Sequence, residues 1–193
     1  LLPCEAGEPV LDVGSGEGAF LGELTRRYAI EAYGVDLSTA AADLAARRHR
    51  SCRWIVANAD RFIPFGDESL HAVTSINARL NRDEFARVLR PVGRLLLAVA
   101  APDDLLEVRE RILGAGVERS RVDRTREMFE PVFELVHLER VSHRATLDHE
   151  ALVDVLSSSY RGLRLRERER LTSIDSMDVT LSRDVLLFRK VWT

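Results

Sequence analysis

The sequence has 193 residues, 46% hydrophobic and 31% charged, with a mean hydropathy of −0.12. This length and balance fit one α/β domain and exclude a collagen-like, coiled-coil or disordered chain. No apolar run approaches the roughly 20 residues of a membrane-spanning helix, and a net charge of −3 does not advertise a nucleic-acid binder.

Two cysteines, Cys4 and Cys52, are too few for a disulfide framework or a four-cysteine zinc site, and a reducing, cytoplasmic setting fits them. Of the 28 cations only Lys190 is a lysine. Bidentate phosphate contacts and a GC-rich coding bias would both produce that arginine excess. A strand-and-loop motif starts by residue 10, with neither an initiator methionine nor a signal peptide before it. A further N-terminal portion is therefore expected ahead of residue 1.

Strand and helix patterns alternate over the first hundred residues. Val10 to Val13 predicts a strand that ends in a glycine loop. Phe20, Leu21, Leu24 and Tyr28 give Glu17 to Tyr28 a helical spacing. Ile30 to Val35 predicts a second strand, and Ser38 caps a helix to about His49. Trp54 to Ala57 and Leu70 to Ile76 predict strands, Arg82 to Leu89 a helix, and Arg94 to Ala100 a fifth strand. Such alternation calls for a parallel sheet with right-handed crossovers.

The second half is more mixed. Leu105 to Leu113 predicts a helix stopped by Gly114 and Gly116. Residues 117–131 are polar and arginine-rich and are expected to form a flexible connection. Phe133 to Leu147 predicts a long strand, Asp148 an N-cap for a helix to about Ser157, and Val179 to Trp192 a last strand. The two late strands are expected to pair antiparallel at the sheet edge, with helices forming a lid. Arg161 to Arg170 packs five arginines and two glutamates into ten residues. That stretch fits either phosphate contacts or a solvated helix laced with ion pairs.

The most informative run is Val10-Leu11-Asp12-Val13-Gly14-Ser15-Gly16-Glu17-Gly18. Three glycines between strand and helix let the backbone approach a ligand and present helix N-terminal amides to it. Gly14, Gly16 and Ala19 satisfy a loose dinucleotide fingerprint, but Gly18 makes the spacing GxGxG. Asp12, at the strand end, suits a cationic amino-acid group better than a pyrophosphate, which points to S-adenosylmethionine. A purely structural turn is the plainer alternative. Asp36 ends the second strand, where an acid can accept both hydroxyls of a ribose.

These residues resemble class I S-adenosylmethionine-dependent methyltransferases. The likeness continues in Ile63-Pro64-Phe65-Gly66-Asp67-Glu68-Ser69-Leu70 and in Phe85-Ala86-Arg87-Val88-Leu89-Arg90-Pro91. It departs at Val92, where the family has a turn glycine, and at His71, where it has aspartate. A finer resemblance is to bacterial ribosomal RNA guanine-N(1) methyltransferases, the macrolide-resistance type included. It runs through Ala101-Pro102-Asp103-Asp104-Leu105 into the late strands.

The resemblance implies a Rossmann-like methyltransferase domain over 1–193, with a cofactor half at 10–100 and a substrate half at 101–193. It also implies a cofactor site of Asp12, Gly14, Ser15, Gly16, Gly18, Asp36, Leu37, Asn58, Ala59 and Ser75, with Asp60 as a rival to Asn58. Asn77 and Tyr160 are the candidates for positioning the acceptor. His143 and His149 are read as solvated or structural, so no catalytic acid or base is assigned, and no metal site. Members of the finer family carry an N-terminal cysteine zinc module, which is not visible in this stretch. The expected acceptor is a guanine of large-subunit ribosomal RNA, the alternative a small molecule such as a quinone.

Overall fold

The computed structural model describes residues 2, 4–114, 116, 119–159 and 165–191. Seven strands form one sheet in the order β3-β2-β1-β4-β5-β7-β6. They are β1 (Pro9–Val13), β2 (Glu31–Asp36), β3 (Arg53–Val56), β4 (Leu70–Ile76), β5 (Leu89–Ala100), β6 (Phe133–Asp148) and β7 (Ser176–Lys190). The helices are α1 (Ala19–Arg27), α2 (Thr39–Arg48), α3 (Arg82–Val88), α4 (Leu106–Val108), α5 (Val122–Phe129), α6 (His149–Ser159) and α7 (Leu165–Thr172), and α4 runs on into a π-helical turn at Arg109–Leu113. Strands β1 to β5 pair in parallel, and the sheet ends in an antiparallel edge. The fold is the expected doubly wound, mostly parallel one.

The chain divides into two compact units, the first made of 1–99, 122–139 and 185–193 and the second of 100–121 and 140–184. The first unit is built around Leu11, Val35, Ile63, Val73, Phe85, Leu95, Phe129, Phe133 and Phe188, all buried. Phe129 is ringed by Phe85, Phe133 and Phe188, with centroids 5.5–6.2 Å away. Phe129 belongs to α5, so the expected flexible connection over 117–131 is corrected. Val122, Thr125 and Phe129 recur at helical spacing, and burial of Thr125 and Phe129 supplies the stability that the polar composition hides.

The fifth strand also begins earlier than expected. Leu89 pairs with Leu70, after which a register break brings Arg94 beside Ala72. Residues 90–93 form the irregular stretch between, and there Val92 adopts φ +57°.

In the second unit, Leu105, Val108, Ile112, Leu152, Leu156, Leu171, Ile174, Met177 and Val179 form a separate apolar cluster. The expected helix over Leu105 to Leu113 is present, and Gly114 ends it at φ +70°. Asp148 accepts the Ala151 amide at 2.9 Å, the expected cap of α6. The acids after β5 hold β7: Glu107 accepts the Thr180 amide and hydroxyl at 2.9 and 2.7 Å, and buried Asp104 accepts the Ser182 amide at 2.8 Å. Arg140 of β6 donates two bonds to buried Asp184, at 2.8 and 3.1 Å. Of the arginine-rich stretch 161–170, residues 161–164 lie outside the described residues.

Candidate active site

From β1 the chain passes to β2 and β3 on one side of the sheet and to β4 and β5 on the other. The crevice beyond the carboxyl ends of β1 and β4 is thus a topological switch point, where open α/β sheets bind ligands. The glycine loop leaves β1 there. The Gly14 and Ser15 amides both donate to the Val35 carbonyl, at 2.9 and 3.1 Å, and the Gly18 amide donates to the Ser15 carbonyl at 3.0 Å. Gly14, at φ +72°, lies so close to the residues after β4 that a Cβ there would overlap that of Ala78. Gly16, by contrast, faces open space.

Two carboxylates flank this loop, with different surroundings. Asp36 is half-buried. Its Oδ2 accepts the Gly16 amide and its Oδ1 the Ser38 amide, both at 2.8 Å, which fixes the carboxylate and leaves lone pairs for a ligand's hydroxyls. Asp12 is 3% exposed and accepts one side-chain bond, from the Thr74 hydroxyl at 2.6 Å. Burial pushes its pKa up from 3.8 to about 7, the Asp36 charge adds to the rise, and the Thr74 hydrogen bond opposes it. Thr74, directly beside Asp12 on β4, joins the candidate site through this bond and was not expected from the sequence, since one threonine in a buried strand carries no local signal.

The buried hydroxyls of Ser15 and Ser75 have no hydrogen-bond partner. Unsatisfied buried donors beside an open glycine loop are what a polar ligand would satisfy. Together with the carboxylates of Asp12 and Asp36, they form a donor and acceptor set whose chemistry fits the polar groups of S-adenosylmethionine.

The remaining expected residues divide. Leu37, just past Asp36, is 69% exposed and available to cover an apolar ring face. Asn58 is also exposed, but its Oδ1 already accepts the Asp60 amide at 3.1 Å. Ala59 packs beside the first unit's core. The rival Asp60 pairs with Arg79 at 3.4 Å. Asn77 follows β4 directly, exposed and at φ +54°, its amide bound to the Ala98 carbonyl at 2.9 Å. Asparagine tolerates this left-handed conformation, which is one of those stored at functional sites. His143 is exposed on β6, and His149 contacts the Ile174 carbonyl at 3.0 Å. Tyr160 lies outside the described residues. Among them, no group of three or more His, Cys, Asp or Glu side chains could hold a metal ion.

A second group of residues, not expected as functional, shapes the β3–β4 connection. Arg87 donates to Glu84, to the carbonyls of Ile63 and Phe65 (2.8 Å each) and to Asp67 (2.9 Å), while Glu84 Oε2 accepts the Ile63 amide at 2.6 Å. The Arg87 guanidinium also lies 4.8 Å from the centre of the Phe62 ring. Asn81 adds bonds from its Nδ2 to the Ala59 and Asp60 carbonyls, at 3.1 and 3.0 Å. The Glu84-x-x-Arg87 pattern thus clamps the preceding Ile63–Asp67 segment, and this explains why the two motifs occur together.

Fold, crevice and donor set are those of class I S-adenosylmethionine-dependent methyltransferases. The methyltransferase-domain family matches residues 10–97. The chain is 32% identical over 155 residues to the 23S rRNA (guanine(748)-N(1))-methyltransferase of Streptomyces fradiae, covering 79% of this chain and 55% of that protein. It is 34% identical over 107 residues to a demethylmenaquinone methyltransferase of Tropheryma whipplei, covering 50% of this chain and 44% of that protein. Among solved structures, the YcgJ protein of Bacillus subtilis superposes with a TM-score of 0.68 at 18% identity, covering 98% of this chain and 94% of that one. The chain therefore spans about half the length of these sequence relatives.

Proposed function

We propose that the protein transfers a methyl group from S-adenosylmethionine to a ring nitrogen of guanine in large-subunit ribosomal RNA, in the cytoplasm. The observation that carries this reading is the extent of the Streptomyces fradiae match. At 155 residues it exceeds the 97 available up to the end of the methyltransferase-domain match, so it continues into the half expected to select the acceptor.

S-adenosylmethionine supplies an electrophilic methyl group on a sulfonium, and displacement there is mainly a matter of positioning. In this reading Asp12, ionised, holds the ammonium of the methionine end, and Asp36 accepts the ribose hydroxyls. The glycine backbone at Gly14, Gly16 and Gly18 allows close approach, and the Ser15 and Ser75 hydroxyls gain partners. Leu37 covers the adenine face while Ala59 and the free lone pair of Asn58 Oδ1 meet its edge. Asn77 holds the edge of the acceptor base. An amide takes no proton at neutral pH, so its part is orientation; the N–CH3 bond forms as the S–CH3 bond breaks, S-adenosylhomocysteine leaves, and the proton of the guanine nitrogen passes to solvent. Tyr160 remains the proposed stacking partner of a flipped base.

The Tropheryma whipplei match and the net charge of −3 favour a second reading, methylation of a small molecule such as a quinone. A transfer assay with radiolabelled cofactor, using the full-length protein on unmodified large-subunit RNA, decides between them. Label at a guanine, lost as salt rises, supports the RNA reading. Label in a quinone or phenol, with none in RNA, overturns it.

A further inference from the structure

We infer that Trp54, backed by His49, is a positioning residue whose indole supports the glycine loop in its cofactor-binding form. Trp54 pairs with Gly34 in the β2–β3 register. Its ring lies across that glycine so closely that a Cβ there would overlap Cζ3 and Cε3. The far edge of the ring reaches Gly18, the residue that starts α1 at φ +81°, where a Cβ would lie 2.8 Å from Cζ2. A Cβ on Gly34 would also come within 2.9 Å of the Ser15 hydroxyl, so the indole lies where β2 and the loop meet.

His49 completes the support from the end of α2. The Trp54 indole N–H donates to its carbonyl at 3.2 Å, and the two ring centroids are 6.3 Å apart. The imidazole occupies the space over Gly22 in the first turn of α1, where a Cβ would lie 2.8 Å from Cγ. Arg48 ties the same end of α2 to the loop by pairing with Glu17.

Three glycines from two separate segments, Gly18, Gly22 and Gly34, are thus kept free of side chains by one aromatic pair. Gly22 and Gly34 have ordinary backbone angles, so the space taken by the rings explains them where backbone conformation does not. A support this close fixes the height of the segment carrying Gly16, whose amide orients Asp36. Removing the ring leaves a space into which the loop can settle, which turns the Gly16 amide away from Asp36. An aromatic that only filled the core would affect stability and leave ligand affinity unchanged.

The test uses S-adenosylhomocysteine binding, so it rests on the cofactor site and not on the identity of the acceptor. The chain has two tryptophans, and in a Trp192→Phe background Trp54 is the only indole emitter. Its emission is expected to shift as S-adenosylhomocysteine saturates the site, with saturation verified by calorimetry. Trp54→Leu is expected to weaken that binding at least tenfold. Phe188→Leu, a change in the same unit's core that also lowers the melting temperature, should leave it within twofold of the parent. A folded Trp54→Leu protein that binds with parental affinity overturns the inference. So does Trp54 emission that stays unchanged through saturation, a result that stands even if Trp54→Leu does not fold.

Discussion

Asp12→Asn should stabilise the ligand-free protein at neutral and higher pH while weakening its hold on the cofactor. Burial, helped by the charge of Asp36, raises the Asp12 pKa from 3.8 to about 7. An acid raised this far in the folded state destabilises that state wherever the unfolded chain is ionised, at about 1.4 kcal/mol per pH unit of difference. Below about pH 4 the acid is protonated in both states and there is no penalty. Between about pH 4 and 7 the penalty grows, and above 7 it is complete at about 4 kcal/mol.

Asparagine keeps an oxygen for the Thr74 hydroxyl and removes the charge. Urea unfolding of ligand-free protein should therefore show the variant gaining on the parent from pH 4 to 8, with no charge-dependent difference at the acid end. The same variant lacks the carboxylate assigned to the cofactor's ammonium, so calorimetry should show S-adenosylhomocysteine affinity falling at pH 8. A stability difference that does not change with pH would refute the argument that Asp12 is held near neutrality by its burial.

Two further predictions concern the segments around the site. Arg87→Ala leaves Glu84 and two carbonyls without their shared donor; with side chains 25% and 15% exposed, the loss should be about 2 kcal/mol in urea unfolding at pH 7. Arg87 is the first cause holding the Glu84 carboxyl below its ordinary range. That stabilisation is present above the unfolded value and is lost as pH falls through the folded one, so the gap between parent and variant should narrow in acid, down to the part carried by the two carbonyls. Val92→Gly relieves a β-branched residue at φ +57° and should raise stability by about 1 kcal/mol; a loss on thermal unfolding would show that the exposed valine contributes packing that outweighs the backbone cost.

The parallel half of the fold was readable because its strands are short apolar runs separated by capped or glycine-ended helices. Leu70–Ile76 and the Ser38 cap of α2 follow directly from local pattern. α5 was not readable as a helix because its one large buried residue, Phe129, gains its stability from three distant rings. The start of β5 was obscured by Pro91 and Gly93, residues that signal a turn and here occupy a register break. At the candidate site, Asp12, Asp36 and the glycine loop stand out in the sequence because their chemistry is local. Thr74, Trp54 and the Glu84–Arg87 clamp act across strands and loops, through distances that sequence spacing does not encode.

The first unit is assembled from three separated stretches of chain, and this has a consequence for the order in which the molecule can form during synthesis. The last of these stretches carries only the end of β7, a strand that lies between β5 and β6, so the neighbours made earlier must leave a gap in the sheet for a later arrival. Leu186 and Phe188, which close the aromatic cluster around Phe129, are made after almost everything they touch. The glycine loop and both site carboxylates therefore leave the ribosome long before the core beneath them can be completed. A nascent chain halted after β6 should expose Phe129 and Phe133, a natural surface for a chaperone until the closing strand is threaded into place.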